Sequence, residues 1–235
     1  MEWCIKLKNT SLLKHLPLMV FVNRDNREKL EGKLRIDEYL MMPIDFNELF
    51  GRVRLQIRNF QYQEKLRTEY IKVYITDRLT GLYNKEYLES YFSYIIKGVE
   101  SKKDSYILCM LDIDNFKKVN DKYGHARGDR VLKYVSKIIL RNVRSGDFIG
   151  RFGGEEFVVI FHKVTVKKVK EIVERIRREV AESSLVDVSE YKKIKCTVSA
   201  GIEEIRYDDT LESVLERADK KLYKAKSLGK DRVVV

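Results

Sequence analysis

Arg151-Phe152-Gly153-Gly154-Glu155-Glu156-Phe157 stands between two apolar runs, Asp147-Phe148-Ile149 before it and Val158-Val159-Ile160-Phe161 after it. Two strands joined by Gly-Gly read as a β-hairpin, because a tight two-residue turn needs positive φ and glycine supplies it without steric strain. Glu155 and Glu156 then fall where the turn re-enters a strand. Neighbouring strand residues point to opposite faces, so one glutamate can face a pocket while the other takes a different job. Bare backbone beside an outward carboxylate suits a phosphate and its metal ion. Taken alone, the segment reads equally well as a structural turn with a polar rim.

A second acidic strand end changes that balance. Tyr106-Ile107-Leu108-Cys109-Met110-Leu111 is a continuous apolar run, the pattern of a strand buried on both faces. It ends in Asp112-Ile113-Asp114 and continues into Asn115-Phe116-Lys117-Lys118-Val119-Asn120-Asp121, then Gly124-His125 and Gly128-Asp129. A carboxylate closing a buried strand is costly unless it is paired or holds a metal. Hard oxygen ligands with lysine close by fit Mg2+ on a nucleoside triphosphate. Asp-x-Asp after a strand is often only a helix cap or a surface turn. Joined to the acidic hairpin, it suggests two strand ends that together hold a metal–triphosphate.

These segments, with Asp77-Arg78-Leu79-Thr80-Gly81-Leu82-Tyr83-Asn84, Thr197-Val198-Ser199-Ala200-Gly201 and Ala218-Asp219-Lys220-Lys221-Leu222-Tyr223-Lys224-Ala225-Lys226, resemble the GGDEF diguanylate cyclases in motif order over residues 77–235. The signature here is the GGEEF variant. The resemblance implies an α/β fold with a central, mainly antiparallel sheet wrapped by helices, as in nucleotidyl cyclases and polymerase palm domains. It implies condensation of two GTP into cyclic di-GMP and pyrophosphate across a homodimer, each copy supplying half of the active site.

By the same resemblance Asp112 and Glu155 ligate Mg2+ (Mn2+ would serve in its place), helped by the Ile113 carbonyl, and Glu156 supports the metal or the nucleophile. Asn120 and Asp129 read guanine: a carboxylate accepts N1–H and N2–H, a donor pair that adenine lacks. Phe116 belongs to the substrate-binding set, and Lys117, Lys226 and Lys230 hold phosphates. The family more often has arginine at position 230, so the bidentate fork is lost there. His125 is expected to be structural. Arg144-Ser145-Gly146-Asp147 matches an RxxD inhibitory site for cyclic di-GMP, with Arg175 as the supporting arginine. A silent cyclic di-GMP receptor acting through that site is the alternative function, and a cyclase or polymerase-like enzyme for another purine is a third.

Residues 1–76 are organised differently. Leu16–Val22 and Tyr39–Asp45 read as strands, the second ending at Pro43, and Asn47 as the cap of a long helix from about Glu48. The order of helix, strand, helix, strand and helix resembles the C-terminal half of a flavodoxin-like response-regulator receiver. Met42 stands where the receiver has lysine and Val22 where it has Thr/Ser, which points to a degenerate dimerisation adaptor. The first three receiver strands would precede Met1, so the expectation is a fragment of a longer regulator. The expected partition is a partial receiver over 1–60, a helical linker over 61–76 and a GGDEF domain over 77–235. Leu49, Val53, Ile57 and Phe60, then Leu66, Tyr70 and Val73, form a stripe read first as packing against the sheet and later as a dimer seam.

The net charge of +11 divides into +4 on 1–76 and +7 on 77–235, with no basic arm or aromatic–basic platform. Nucleic acid is therefore not an expected partner. No stretch approaches membrane-spanning length and no secretory pattern opens the chain. Cys4, Cys109 and Cys196, the last two placed in core strands, read as reduced packing residues of a cytoplasmic protein.

Overall fold

A computed structural model describes residues 16–23, 37–100, 104–183, 185–187 and 192–235. Packing divides the chain into two units, Met1–Lys72 and Val73–Val235.

In the first unit, β1 (Met19–Val22) and β2 (Glu38–Met41) pair in parallel, with Met19 opposite Glu38. Val22 and Leu40 are buried there. Helix α1 (Phe46–Ile75) follows as one element of 30 residues that runs through the expected receiver and linker intervals without a break. Its cap is Asp45, not Asn47. The Asp45 carboxylate accepts from the Asn47 and Glu48 amides at 2.7 and 3.3 Å, so the helix starts earlier and Asn47 lies in its first turn. Arg52 ties α1 to β2 through Glu38 at 2.8 Å. The stripe does not pack as a core face. No residue of α1 is buried, and Ile57, Tyr70 and Val73 are exposed. The helices expected before β1 and between β1 and β2, like Cys4, lie outside the described residues.

The second unit contains α2 (Lys85–Glu100), β3 (Tyr106–Ile113), α3 (Phe116–Tyr123), α4 (His125–Asn142), β4 (Phe148–Gly153), β5 (Glu156–His162), α5 (Val166–Glu182), β6 (Leu185–Asp187), β7 (Lys192–Ile194), β8 (Val198–Glu204), α6 (Leu211–Ser227) and β9 (Val233–Val234). Five strands form one sheet in the order β4-β5-β3-β8-β9, antiparallel except for the β8–β9 pair, and β6 and β7 form a separate antiparallel pair. This is the mainly antiparallel α/β architecture that the resemblance implied.

β3 is buried at every position, and alternation along it sorts the core into two layers. Ile107, Cys109, Leu111 and Ile113 join Val131, Leu132, Val135 and Ile138 of α4 and Val169, Val173 and Ile176 of α5. Tyr106, Leu108 and Met110 join Leu88, Phe92 and Ile95 of α2 and Val214, Ala218 and Leu222 of α6 on the other face. Each such aliphatic side chain contributes about 1.5–3 kcal/mol when fully buried. Cys109 is a core residue as expected, whereas Cys196 is only partly buried and lies between β7 and β8. Among the described residues no helix is long and apolar enough to cross a membrane.

The hairpin differs from its expected form by one residue. Gly153 still pairs with Glu156, so the turn is Gly154-Glu155, and only Gly154 has positive φ, at 45°. A register shift between Arg151 and Gly153 makes Phe152 the extra residue of a β-bulge. Glu155 therefore belongs to the turn and Glu156 opens β5.

α6 lies so close to β8 at Gly201 that a Cβ there would meet the Ala218 carbonyl oxygen at 2.2 Å and the Leu222 nitrogen at 2.6 Å. Backbone cannot yield as a side chain does. Gly201→Ala is expected to destabilise the chain by about 1–3 kcal/mol, read as a lowered urea midpoint at unchanged slope; an unchanged midpoint would contradict this packing.

Candidate active site

β3 and β5 pair so that Asp112 stands opposite Glu156. Both residues share strand parity with Leu108, Met110 and Val158, so they sit on the α6 side of the sheet. Lys226, in the last turn of α6, reaches Asp112 Oδ2 at 2.9 Å. Asp112 is 5 % exposed, and this burial pushes its carboxyl up to about 6; Glu155 and Glu156 add to the rise, while Lys226 opposes it. Burial also raises Glu156, with Asp219 and Glu155 acting in the same sense and Lys226 against them. The turn is stitched to β3 where the Ile113 amide donates to the Glu155 carbonyl at 3.3 Å.

Asp114 has a different role from Asp112. Its carboxylate is buried and accepts from Thr197 Oγ1 at 2.7 Å, Ser199 Oγ at 2.8 Å and the Asp231 amide at 3.1 Å. Three donors satisfy a buried carboxylate without a metal. They also pin the turn in which Lys230 and Asp231 both adopt left-handed backbone, φ 64° and 48°, a conformation that costs roughly 1–2 kcal/mol per non-glycine residue. Held in that turn, Lys230 donates from Nζ to Asn115 Oδ1 at 2.6 Å. Asp114 is thus the anchor that aims a lysine.

On the α3–α4 side lies a cleft of about 390 Å³, whose lining includes Phe116, Lys117, Asn120, His125, Asp129 and Glu155. The cleft thus gathers the expected guanine readers, one phosphate lysine and the turn carboxylate. Asp112, Lys226 and Lys230 are not among its lining; they cluster at the end of β3. Gly128 explains how Asn120 reaches its position: a Cβ at 128 would lie 1.9 Å from Asn120 Oδ1.

Arg151 also lines the cleft, a role the sequence reading did not assign. Its Nε and Nη2 donate to the Gly154 carbonyl at 2.9 and 2.6 Å, and Nη1 pairs with Asp77 at 3.2 Å. Asp77 in turn accepts from the amide and hydroxyl of Thr80 at 2.8 and 2.6 Å. Burial raises the Asp77 carboxyl, but the Thr80 bonds and Arg151 outweigh it and leave it lowered. A cation two residues before the glycine pair was the available signal.

Arg144 and Asp147 form an ion pair at 3.2 Å, and the same guanidinium donates to the His162 carbonyl. Asp147 also accepts from the His162 amide at 3.0 Å. Arg175 binds Asn142, at the end of α4, through Oδ1 at 2.5 Å and the carbonyl at 3.0 Å. Among the described residues no three His, Cys, Asp or Glu side chains converge as a metal cage. The carboxylates gathered at the strand end are Asp112, Glu156 opposite it and Glu155 in the turn.

A family profile described as "Diguanylate cyclase, GGDEF domain" matches residues 74–232. The chain is 35% identical over 234 residues to the response regulator PleD of Caulobacter vibrioides, covering 97% of this chain and 52% of that protein. It is 38% identical over 219 residues to diguanylate cyclase A of Treponema denticola, covering 92% and 58%. The chain thus spans just over half the length of these relatives. Among solved structures it resembles the coiled coil and GGDEF domain of DgcB from Caulobacter crescentus, a complex with c-di-GMP, at TM-score 0.73 and 32% identity over 79% of this chain and 98% of that one. It also resembles the active GGEEF domain of a Vibrio cholerae diguanylate cyclase, at TM-score 0.58 and 29% identity over 64% and 95%.

The raised Asp112 carboxyl carries a sign. Its folded value of about 6 lies above the ordinary 3.8, so its contribution to stability is present below about pH 4 and lost as pH rises through about 6. In metal-free protein Asp112→Asn, which lacks the titration, should gain on the order of 2 kcal/mol relative to the parent between about pH 4 and pH 7. Urea unfolding in EDTA at the two pH values measures this, and a constant gap would refute it.

Proposed function

We propose that this chain, which belongs to the family of GGDEF diguanylate cyclase domains, condenses two GTP molecules into cyclic di-GMP with release of pyrophosphate. The observation that carries the reading is the meeting of Asp112 and the Glu155-Glu156 hairpin at one sheet end, beside Lys226 and next to the Asn120–Asp129 cleft. Asp129 accepts from the guanine N1–H and N2–H edge and Asn120 serves its acceptor edge. Phe116 closes the cleft wall, and Lys117, Lys226 and Lys230 hold phosphates as point charges.

Asp112, Glu155 and the Ile113 carbonyl are hard oxygen donors, and the buried Asp112 carboxylate gains from a cation. This set suits Mg2+, with phosphate oxygens and water completing the coordination. When bound, the metal offsets phosphate charge and lowers the pKa of the attacking hydroxyl. Glu156 supports the strand end from the α6 side. The 3′-oxygen of one GTP forms a bond to the α-phosphorus of the other as the bond to pyrophosphate breaks, and the reaction runs twice to close the ring.

One copy offers one such cleft, so the reaction joins two copies. The long α1, with no buried residue, supports pairing of this helix across a homodimer. Residues 1–60 are read as part of a receiver that serves this pairing, with 61–76 as the helical link to the domain beginning at 77. Arg144, Asp147 and Arg175 form the inhibitory site: arginine meets phosphate or the guanine face and the carboxylate accepts from the base edge.

The test is incubation of the purified chain with GTP and Mg2+ and mass spectrometry of the product. Cyclic di-GMP is expected, with Glu155→Ala slower by about 100-fold or more and excess ATP without effect. Micromolar cyclic di-GMP should inhibit the parent and not Arg144→Ala. If the chain is silent, fusion to a dimeric coiled coil should restore turnover. Continued silence of the forced dimer, with cyclic di-GMP still bound, would replace the cyclase by the silent receptor.

A further inference from the structure

A cavity of about 820 Å³ lies on the α2–α6 side of the sheet, twice the size of the nucleotide cleft and distinct from it in lining. It falls within the range of volumes that hold small organic molecules, about 300–1,000 Å³. Its floor is apolar: Met110 of β3 is buried, and Phe152, Leu211 and Leu215 pack half-buried against the same core layer. Phe152, the extra residue of the β4 bulge, lines the cavity wall.

The rim has the opposite character. Glu89, Glu156, Glu212, Glu216 and Asp219 line it, against Lys85 as the one cation in the lining. Glu216 already carries an ion pair, to Lys220 at 2.7 Å. Lys85 holds its ammonium over the Phe152 ring, 5.0 Å from the centroid, so a cation already rests on the aromatic face. The N-terminus of α6 does not reverse the charge preference. Its capping amides are used internally, the Ser213 amide donating to Thr210 Oγ1 at 3.2 Å and the Thr210 amide to Ser213 Oγ at 3.1 Å.

We propose that this cavity is a second ligand site, which takes a small organic cation with an aromatic or short alkyl body. The body rests on Met110, Phe152 and Leu215, and the cationic head meets the carboxylate rim. An anionic nucleotide is repelled by the same rim, in which five carboxylates face one lysine. The proposal stands on the cavity alone and does not depend on the cyclase reading.

Benzamidine is the probe and neutral, isosteric benzamide the control. The chain has 5 methionines, so a methyl-labelled methionine spectrum, with Met110 assigned by Met110→Leu, reports on the floor directly. Benzamidine should shift the Met110 methyl saturably, with a Kd in the millimolar range or tighter. Benzamide should bind at least tenfold more weakly. The Glu89→Gln/Asp219→Asn double variant should lose at least tenfold in benzamidine affinity while keeping the parent methyl spectrum. If that variant proves unfolded, Phe152→Leu takes its place and should weaken benzamidine several-fold by removing the ring. An unmoved Met110 methyl, equal binding of benzamide, or undiminished binding by the folded variant would each overturn the proposal.

Discussion

A strand buried on both faces for its whole length cannot end quietly. β3 carries apolar side chains into two separate core layers, and where the layers stop, its next residues must be charged or be covered. Asp112 and Asp114 are that ending, and the surrounding structure answers them differently. Asp112 receives Lys226 from the end of α6 and the acidic hairpin from β5. Asp114 receives two hydroxyls and an amide from the segments around β8 and β9. The first answer leaves a carboxylate whose charge is incompletely offset, as its raised titration reflects; the second leaves one fully satisfied. The candidate site lies at the unbalanced end and the structural clamp at the balanced one.

Parity does the remaining sorting. Glu155 and Glu156 are adjacent in sequence, yet the first stands in the turn beside the α3–α4 cleft and the second lines the cavity on the α6 side. A single glycine in left-handed backbone, Gly154, allows the chain to reverse between them. The bulge at Phe152 adds local twist at the same place. The cleft and the cavity therefore lie on opposite faces of one sheet and are joined through one hairpin.

Much of this was legible in the sequence because it rests on local rules. The uninterrupted apolar run of β3, the acidic strand end and the glycine hairpin each announce themselves by residue type. The motif order from Asp77 to Lys226 then supplied the fold class and the lysines. The errors are equally physical. Gly153 remained in the strand because ladder pairing with Glu156 outcompeted a turn centred on both glycines. Asp45 displaced Asn47 as cap because a helix can begin wherever a side-chain oxygen first reaches two amides. The α1 stripe looked like a core face, but periodicity records only which side is apolar and not whether anything covers it. Asp114 and Arg151 were beyond reach for another reason: their partners lie far along the chain, and long-range pairing leaves no local pattern. Only the cation before the glycines hinted at Arg151.

The Asp114 clamp also sets an order in time. Its carboxylate joins the end of β3 to the amide of Asp231, 117 positions later, and Lys230 reaches Asn115 through the turn that this bond holds. During synthesis Asp112, the residues of the α3–α4 cleft and the hairpin are all made well before that partner exists. A nascent chain therefore carries the Asp114 carboxylate for more than a hundred residues without the last of its donors. The clamp on Asp114 therefore closes only once the chain has reached residue 231, the last of its three donors to be made.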